Sequence, residues 1–330
     1  MTTLGFGVGL FPTEPLLTTV GLARLAEDLG FGHVWVGDSQ LIWREAYVNL
    51  TAATLATTRI VLGTGVTNLV TRDLSVAASA FATLQEAFPR RLVLGVGLGD
   101  SAVETLGRKP ARLATFELGV QRIRELLAGR DVALESGTIR LKHATGDGVP
   151  IYVAASGPKM LELAGRVADG VIVLVGVELD RVRRALDVIR VGARGAGRDP
   201  DRLDLVLWVP CAVADDGARE AVKAHVARAL NRPLPFALDA GEREVAREIR
   251  RTYDYYAHMD RGASQARVVP DWLVDRFAIA GTPAECRAAV KRLDGSGIHQ
   301  LAIVPYGVGG GDRATTLRRF AAAIMAGGRA

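Results

Sequence analysis

The segment Gly95-Val-Gly-Leu-Gly-Asp-Ser101 places glycines and polar side chains directly after the apolar run at residues 91–94. Two other segments, Gly63-Thr-Gly-Val-Thr-Asn68 and Ala154-Ala-Ser-Gly-Pro158, have the same form and also follow apolar, β-branched runs. Glycine at the carboxyl end of a buried strand allows a ligand to approach the backbone closely. Three such strand ends therefore predict one shared cofactor site on one face of a parallel α/β protein.

Apolar runs alternate with amphipathic segments along the whole chain. The predicted strands are residues 4–10, 33–37, 59–66, 91–97, 151–155, 171–175, 203–211 and 300–305. The predicted helices are residues 16–30, 44–57, 74–88, 115–128, 158–168, 179–195, 216–229, 283–295 and 314–326. This alternation predicts a (β/α)8 barrel, with residues 1–330 as a single domain. A doubly wound sheet is disfavoured because the first strand is not followed by a Gly-x-Gly-x-x-Gly turn.

Two segments are additional to the barrel pattern. Residues 131–148 follow the fourth strand and have the alternation of a small hairpin. Residues 231–276 follow the seventh strand and are rich in charged and aromatic side chains. An insertion of this length in a barrel packs over the active-site mouth as a wall or lid, or it forms a surface appendage or dimer contact. The sequence leaves both alternatives open.

Composition excludes several classes of protein. The 330 residues include 41 Lys and Arg against 36 Asp and Glu, and the net charge of +5 is spread along the chain, so nucleic-acid binding is not expected. Cys211 and Cys286 are far apart, and the five histidines have no paired spacing, so we predict no metal site. No apolar stretch approaches the roughly 20 residues of a membrane helix. We expect a soluble, cytoplasmic protein without a membrane partner.

The segment around Pro158 has the features of an anion site. Pro158 suits the first position of a helix, whose free backbone amides and dipole attract a phosphate group. Backbone after the sixth strand offers a neighbouring approach, as late loops of barrels commonly do. The residues predicted to bind a cofactor here are Ala155, Ser156, Gly157, Lys159, Gly176 and Val177. A helix cap without a ligand is the alternative interpretation.

These motifs resemble those of the bacterial-luciferase-like superfamily. Gly63-Thr-Gly-Val-Thr-Asn68 is similar to its third-strand motif, and Ile151-Tyr-Val-Ala-Ala-Ser-Gly-Pro-Lys159 to its phosphate-binding segment. Gly97-Leu-Gly-Asp-Ser-Ala102 and Thr105-Leu-Gly-Arg-Lys-Pro-Ala111 resemble the deazaflavin branch, typified by methylenetetrahydromethanopterin reductase. The resemblance covers most of the chain and implies a luciferase-like barrel.

The resemblance also implies a set of cofactor contacts. It implies a cis peptide bond between Gly65 and Val66 that forms a bulge behind the cofactor ring. Polar groups near this bulge are expected to bond the pyrimidine edge of the ring. The residues assigned to the ring in this way are Gly65, Val66, Thr67, Asn68, Gly97 and Ser101.

Asp38, Trp43 and Asp100 are the catalytic candidates. Asp38 and Trp43 lie in a segment that resembles the family's sugar-phosphate dehydrogenases, but Ser39 replaces their histidine, which argues against alcohol oxidation of that kind. Asp100 ends the fourth strand, and a carboxyl group beside an apolar ring is expected to have a raised pKa and to deliver a proton. Asp38 and Asp100 as simple caps are the alternative.

The resemblance implies an oxidoreductase that transfers hydride between coenzyme F420 and a small organic substrate. Reduction of a C=C or C=N bond fits the missing histidine better than alcohol oxidation. The alternative is an FMNH2-dependent monooxygenase supplied by a separate flavin reductase. A flavin-free relative is a third hypothesis, disfavoured by the intact glycine motifs. We expect a homodimer with a small-molecule substrate.

Overall fold

The computed structural model describes residues 4–326. Twelve strands form in the order β1 (Gly5–Leu10), β2 (His33–Val36), β3 (Val61–Thr64), β4 (Thr67–Asn68), β5 (Leu92–Gly97), β6 (Val132–Leu134), β7 (Gly137–Ile139), β8 (Ile151–Ala155), β9 (Gly170–Val173), β10 (Asp204–Val213), β11 (Ile279–Gly281) and β12 (Gln300–Pro305). Eight of these, four to ten residues long, are mostly buried and apolar, as parallel strands covered on both faces require.

The eight strands close into a parallel barrel in the order β1, β2, β3, β5, β8, β9, β10, β12. Closure occurs where β1 pairs with β12, with Gly5 opposite Gln300. Ile172, Val206 and Trp208 point into the barrel, where they form a packed interior core with Phe11 and Trp35. The predicted luciferase-like (β/α)8 barrel is confirmed.

Within residues 4–326, thirteen α-helices surround and extend the barrel. They are α1 (Leu16–Leu29), α2 (Ala46–Ala56), α3 (Leu74–Ala87), α4 (Ser101–Glu104), α5 (Leu113–Leu127), α6 (Pro158–Val167), α7 (Leu179–Gly195), α8 (Ala218–Leu230), α9 (Ala240–Thr252), α10 (Ser264–Arg267), α11 (Asp271–Phe277), α12 (Pro283–Lys291) and α13 (Arg313–Phe320). A short π-helix, Ala321–Met325, follows α13. No helix within residues 4–326 is long and apolar enough to cross a membrane.

The small hairpin formed by β6 and β7 lies within the insertion after the fourth barrel strand. The larger insertion differs from the predicted one at its start. Helix α8 does not act as the seventh barrel helix, because its apolar side chains pack with α9, α10 and α11 in a separate hydrophobic cluster. The seventh barrel helix is α12. We call residues 214–278 the cap.

The cap is fixed to the barrel by buried charges. Glu242 on α9 is fully buried, and its carboxylate lies 2.7 Å from Arg181 at the start of α7 and 3.0 Å from Arg276 at the end of α11. The Arg181 guanidinium also packs over the ring of Phe236, 4.5 Å from its centroid. These contacts hold the cap against the loop after β9, at the carboxyl ends of the barrel strands.

Candidate active site

Two adjoining cavities lie at the carboxyl ends of the strands, under the cap. The wide cavity has a volume of about 520 Å³ and extends from Asn68 to the start of α6. The inner cavity, of about 80 Å³, lies above the barrel core and is lined by Phe11, Trp43 and Trp208. Val66 borders both cavities. The arrangement can hold a large planar ligand beside a small chamber with aromatic walls and polar groups.

The wall between the cavities is the turn that joins β3 to β4. The peptide bond between Gly65 and Val66 is cis, as the resemblance implies. A Cβ atom at Gly65 would come within 2.9 Å of the Trp208 ring, and one at Gly97 would lie 3.0 Å from the Val66 side chain. Glycine is therefore needed at both positions for this wall to form.

The far end of the wide cavity is built by the amino terminus of α6. Ser156, Gly157 and Lys159 line it, and Gly157, at the N-cap position, has no side chain with which to cap the helix. Pro158 has no N–H group and the Met160 amide donates to the Gly157 carbonyl oxygen at 3.1 Å, so Lys159 supplies the amide of this first turn that can meet an anion such as the predicted phosphate. Pro233 of the cap closes this end, 3.1 Å from where a Cβ of Gly157 would lie.

Gly176 and Val177 do not line either cavity. Gly176 has a φ of +86°, and a Cβ there would lie 2.5 Å from the Arg276 carbonyl oxygen. The amide of Val177 donates to that same oxygen at 2.9 Å. The structure therefore accounts for this glycine by the close approach of the cap backbone and not by a ligand.

Asp38 lines both cavities, and a buried network holds its side chain. Its side chain has no exposed surface. The carboxylate accepts hydrogen bonds from Nε and Nη2 of Arg72, at 2.7 and 2.9 Å. Thr67 Oγ1 donates to the same carboxylate at 2.7 Å. With two partners already in place, Asp38 fixes the residue that follows the cis turn. This is a positioning role, in contrast to the catalytic one predicted.

Asp100 lies between the two cavities and pairs with two arginines of the cap. Arg228 Nη2 lies 2.7 Å from Oδ2, and Arg232 binds Oδ1. Burial alone would raise the pKa of Asp100, but the positive charges of Arg228 and Arg232 outweigh it and hold the pKa below its usual range. The expected raised pKa is therefore wrong, and Asp100 is an ionised anchor, unsuited to donating a proton.

The other polar side chains predicted to bind the cofactor already form hydrogen bonds within the protein. Ser101 shares a 2.8 Å hydrogen bond with Ser39, which is the residue that replaces the family histidine. Asn68 lines the wide cavity, but its Oδ1 accepts from the amide of Thr71 at 2.9 Å and its Nδ2 donates to Thr71 Oγ1. Ala155 lines the wide cavity through the end of β8.

Two histidines that the sequence analysis left out of the site face the inner cavity. His225 comes from α8 and His258 from the loop between α9 and α10, and both are buried. The His258 ring lies 5.9 Å from that of Trp43, which itself stacks on Phe11 at 4.4 Å. The spacing of these two histidines in the sequence does not indicate that they meet at one cavity. They meet there because the cap, which contains both, folds over the barrel.

The sequence of this barrel matches a known protein family. Residues 3–300 match the family model described as luciferase-like monooxygenase. The chain therefore belongs to the luciferase-like monooxygenase family.

The chain is also similar to individual proteins of known function. A 5,10-methylenetetrahydromethanopterin reductase from Methanolobus tindarius is 34% identical over 314 residues, covering 90% of this chain and 92% of that protein. An F420-dependent glucose-6-phosphate dehydrogenase from Nakamurella multipartita is 36% identical over 217 residues, covering 60% of this chain and 64% of its own length. The solved structure of coenzyme F420 dependent tetrahydromethanopterin reductase from Methanopyrus kandleri has a TM-score of 0.82 at 25% identity and 99% coverage of both chains.

Proposed function

We propose that this F420-dependent oxidoreductase reduces a C=C or C=N bond of a small organic substrate. The observation that carries the proposal is the pair of adjoining cavities, one suited to a planar ring and its phosphate, the other to a small substrate. The reduced deazaflavin supplies the hydride when it is bound. The residues of the chain bind and orient both partners.

The residues of the wide cavity fit this cofactor. The apolar wall at Val66 supports one face of the ring. The uncapped start of α6 at Gly157, together with the nearby side chain of Lys159, receives the phosphate. Arg232 also lines this cavity, and because Arg228 and Arg232 share the single carboxylate of Asp100, the three side chains keep a net positive charge that suits an anionic cofactor.

The inner cavity favours reduction over alcohol oxidation. Oxidation of an alcohol needs a base whose pKa lies near the working pH. Burial lowers the pKa of His258 to about 4, and Ser39 stands where the related dehydrogenases have a histidine. A reductase whose substrate has no proton to remove has no need of such a base.

An FMNH2-dependent monooxygenase is the competing proposal, because the same cavity can receive the phosphate of FMN. A monooxygenase needs molecular oxygen, so an anaerobic assay leaves only hydride transfer, and the probes then show in which direction the hydride moves. With reduced F420 we expect 2-cyclohexen-1-one or 1-pyrroline to be reduced, and with oxidised F420 we expect no oxidation of cyclohexanol. Faster oxidation of the alcohol than reduction of either probe would contradict the proposal.

The start of α6 gives a binding prediction. Gly157→Val should weaken F420 binding by more than tenfold, or ~1.4 kcal/mol, because the side chain fills the space between the helix amides and Pro233. Fluorescence titration measures the affinity. Gly195→Val at the exposed end of α7 is the matched control, since a Cβ at Gly195 meets nothing within 4 Å. Unchanged affinity in a folded Gly157→Val protein would exclude this phosphate site.

We also propose a homodimer formed through α1 to α3. These helices leave large apolar side chains exposed: Leu17 at 80%, Leu55 at 69% and Val76 at 57%. Leu55→Glu should weaken the dimer at least tenfold, or ~1.4 kcal/mol, as measured by light scattering after gel filtration. Val191→Glu, at a similarly exposed site on α7, should leave it unchanged. A monomeric wild-type protein would refute the proposal.

A further inference from the structure

Two histidines that line the inner cavity are each paired with a tyrosine. Nδ1 of His258 lies 2.7 Å from the hydroxyl of Tyr253, which belongs to the same part of the cap. Nδ1 of His225 lies 3.1 Å from the hydroxyl of Tyr306, at the end of β12. Both imidazoles are buried, and both line the inner cavity. In each pair, a tyrosine hydroxyl contacts Nδ1 of the histidine.

The tyrosines determine which ring nitrogen carries the proton. Burial raises the pKa of Tyr253 and of Tyr306, so both hydroxyls keep their hydrogen. Within residues 4–326, neither hydroxyl has a second hydrogen-bond partner besides its histidine. Donation from the hydroxyl to Nδ1 gives the buried tyrosine hydrogen a partner, and it places the ring proton of each neutral imidazole on Nε2.

The surroundings keep both rings neutral. Burial lowers the pKa of His225 well below its ordinary value, and the nearby charge of Arg228 adds to this effect. For His258, burial and the charges of Arg228 and Arg232 lower the pKa to about 4, although Asp100 acts in the opposite direction. Each tyrosine bonds Nδ1 and leaves Nε2 of its histidine without a tyrosine partner. Each neutral ring can therefore donate one N–H group, from Nε2, to a ligand in the cavity.

We propose that His225 and His258 form a paired N–H donor site for the acceptor atom of the substrate, a carbonyl oxygen or an imine nitrogen. This inference rests on the proposed function and names its substrate class: a conjugated carbonyl compound or an imine, in contrast to an isolated alkene. The aromatic walls of Phe11, Trp43 and Trp208 hold the carbon skeleton.

The paired donors act on the charge that develops during reduction. When hydride from the reduced deazaflavin adds to the substrate carbon, the π electron pair moves onto the acceptor atom. Two N–H groups stabilise that pair, as donors aimed at a developing oxyanion do. The atom then takes a proton from water, which reaches it through a side cavity of about 430 Å³ that shares His258 and Trp43 with the inner cavity.

The tautomers can be measured without cofactor or substrate. In protein with ¹⁵N-labelled histidine, His225→Gln and His258→Gln assign the two rings. We expect both to carry the proton on Nε2 at neutral pH, like His33, whose Nδ1 lies 2.6 Å from the Gln300 amide nitrogen. Tyr253→Phe should release this preference in His258 alone. A proton on Nδ1, or an imidazolium, at either position would overturn the proposal.

Kinetics with reduced F420 and 2-cyclohexen-1-one test the donor role. His258→Phe should lower kcat by about 10²-fold, the usual effect of losing one such donor, and His258→Gln should recover part of it through its amide N–H. His143→Phe, at an exposed histidine on the surface, is the control and should keep full activity. Equal losses in the Phe and Gln variants would overturn the donor role.

The two measurements separate this inference from the proposed function. If F420 does not bind, the proposed function fails whatever the tautomers are. If F420 binds and reduces the probe while either ring carries its proton on Nδ1, the proposed function stands and the donor site is wrong.

Discussion

Asp100→Asn is expected to lower turnover by about 10²-fold, because the substitution removes the charge that fixes two arginines between the cavities. Arg228 and Arg232 would then repel each other, and the end of α8 would move relative to β5. A displacement of about 1 Å in a positioning contact can cost a factor of this size. Stopped-flow measurement of hydride transfer reports the loss directly.

The pH dependence distinguishes this anchor from a proton donor. The folded pKa of Asp100 lies below its ordinary value of 3.8, so the carboxylate is ionised at neutral pH and its contribution to stability is lost only as the pH falls through that lower value. The wild-type profile should therefore show no titration of Asp100 near neutrality. Glu104→Gln, on the adjoining helix α4, should behave like the wild type. A titration near neutral pH that vanishes in Asp100→Asn would restore the proton-donor role.

The second large effect concerns stability. Asp38→Asn should lower the free energy of unfolding by about 3–5 kcal/mol, because it leaves the Arg72 guanidinium without its buried bidentate partner. Glu45→Gln removes the other carboxylate on Arg72, one that is 40% exposed, and should cost less than about 1 kcal/mol. Urea unfolding measures both. Equal losses in the two variants would show that the buried pair contributes little.

The barrel could be predicted because its signals are local. Continuous apolar runs indicate strands covered on both faces, and the glycines at 95 and 97 follow directly from the need for a close backbone approach. A Cβ at Gly95 would lie 1.9 Å from the Thr64 carbonyl oxygen, which confirms the tight contact between β3 and β5. The start of α6 was predictable for the same reason, since Pro158 marks it in the sequence.

The cap could not be predicted from local signals. Periodicity identifies the apolar face of α8, but it does not reveal which core that face joins, and here the face packs on α11 within the cap. The cap also contributes side chains to the candidate active site. Arg228 and Arg232 are 128 and 132 residues from Asp100, and they reverse the pKa shift that burial alone predicts. No local signal places His258 in a site, because its cavity exists only once the cap has folded.

The measurement that tests the account most directly is a fluorescence titration of the purified protein with oxidised F420 and, separately, with FMN. We expect F420 to bind at least 100-fold more tightly than FMN, a difference of about 2.7 kcal/mol, and Gly157→Val to weaken the binding of F420 by more than tenfold. Tight binding of FMN with no measurable binding of F420 would contradict it, and would assign the wide cavity to a flavin monooxygenase.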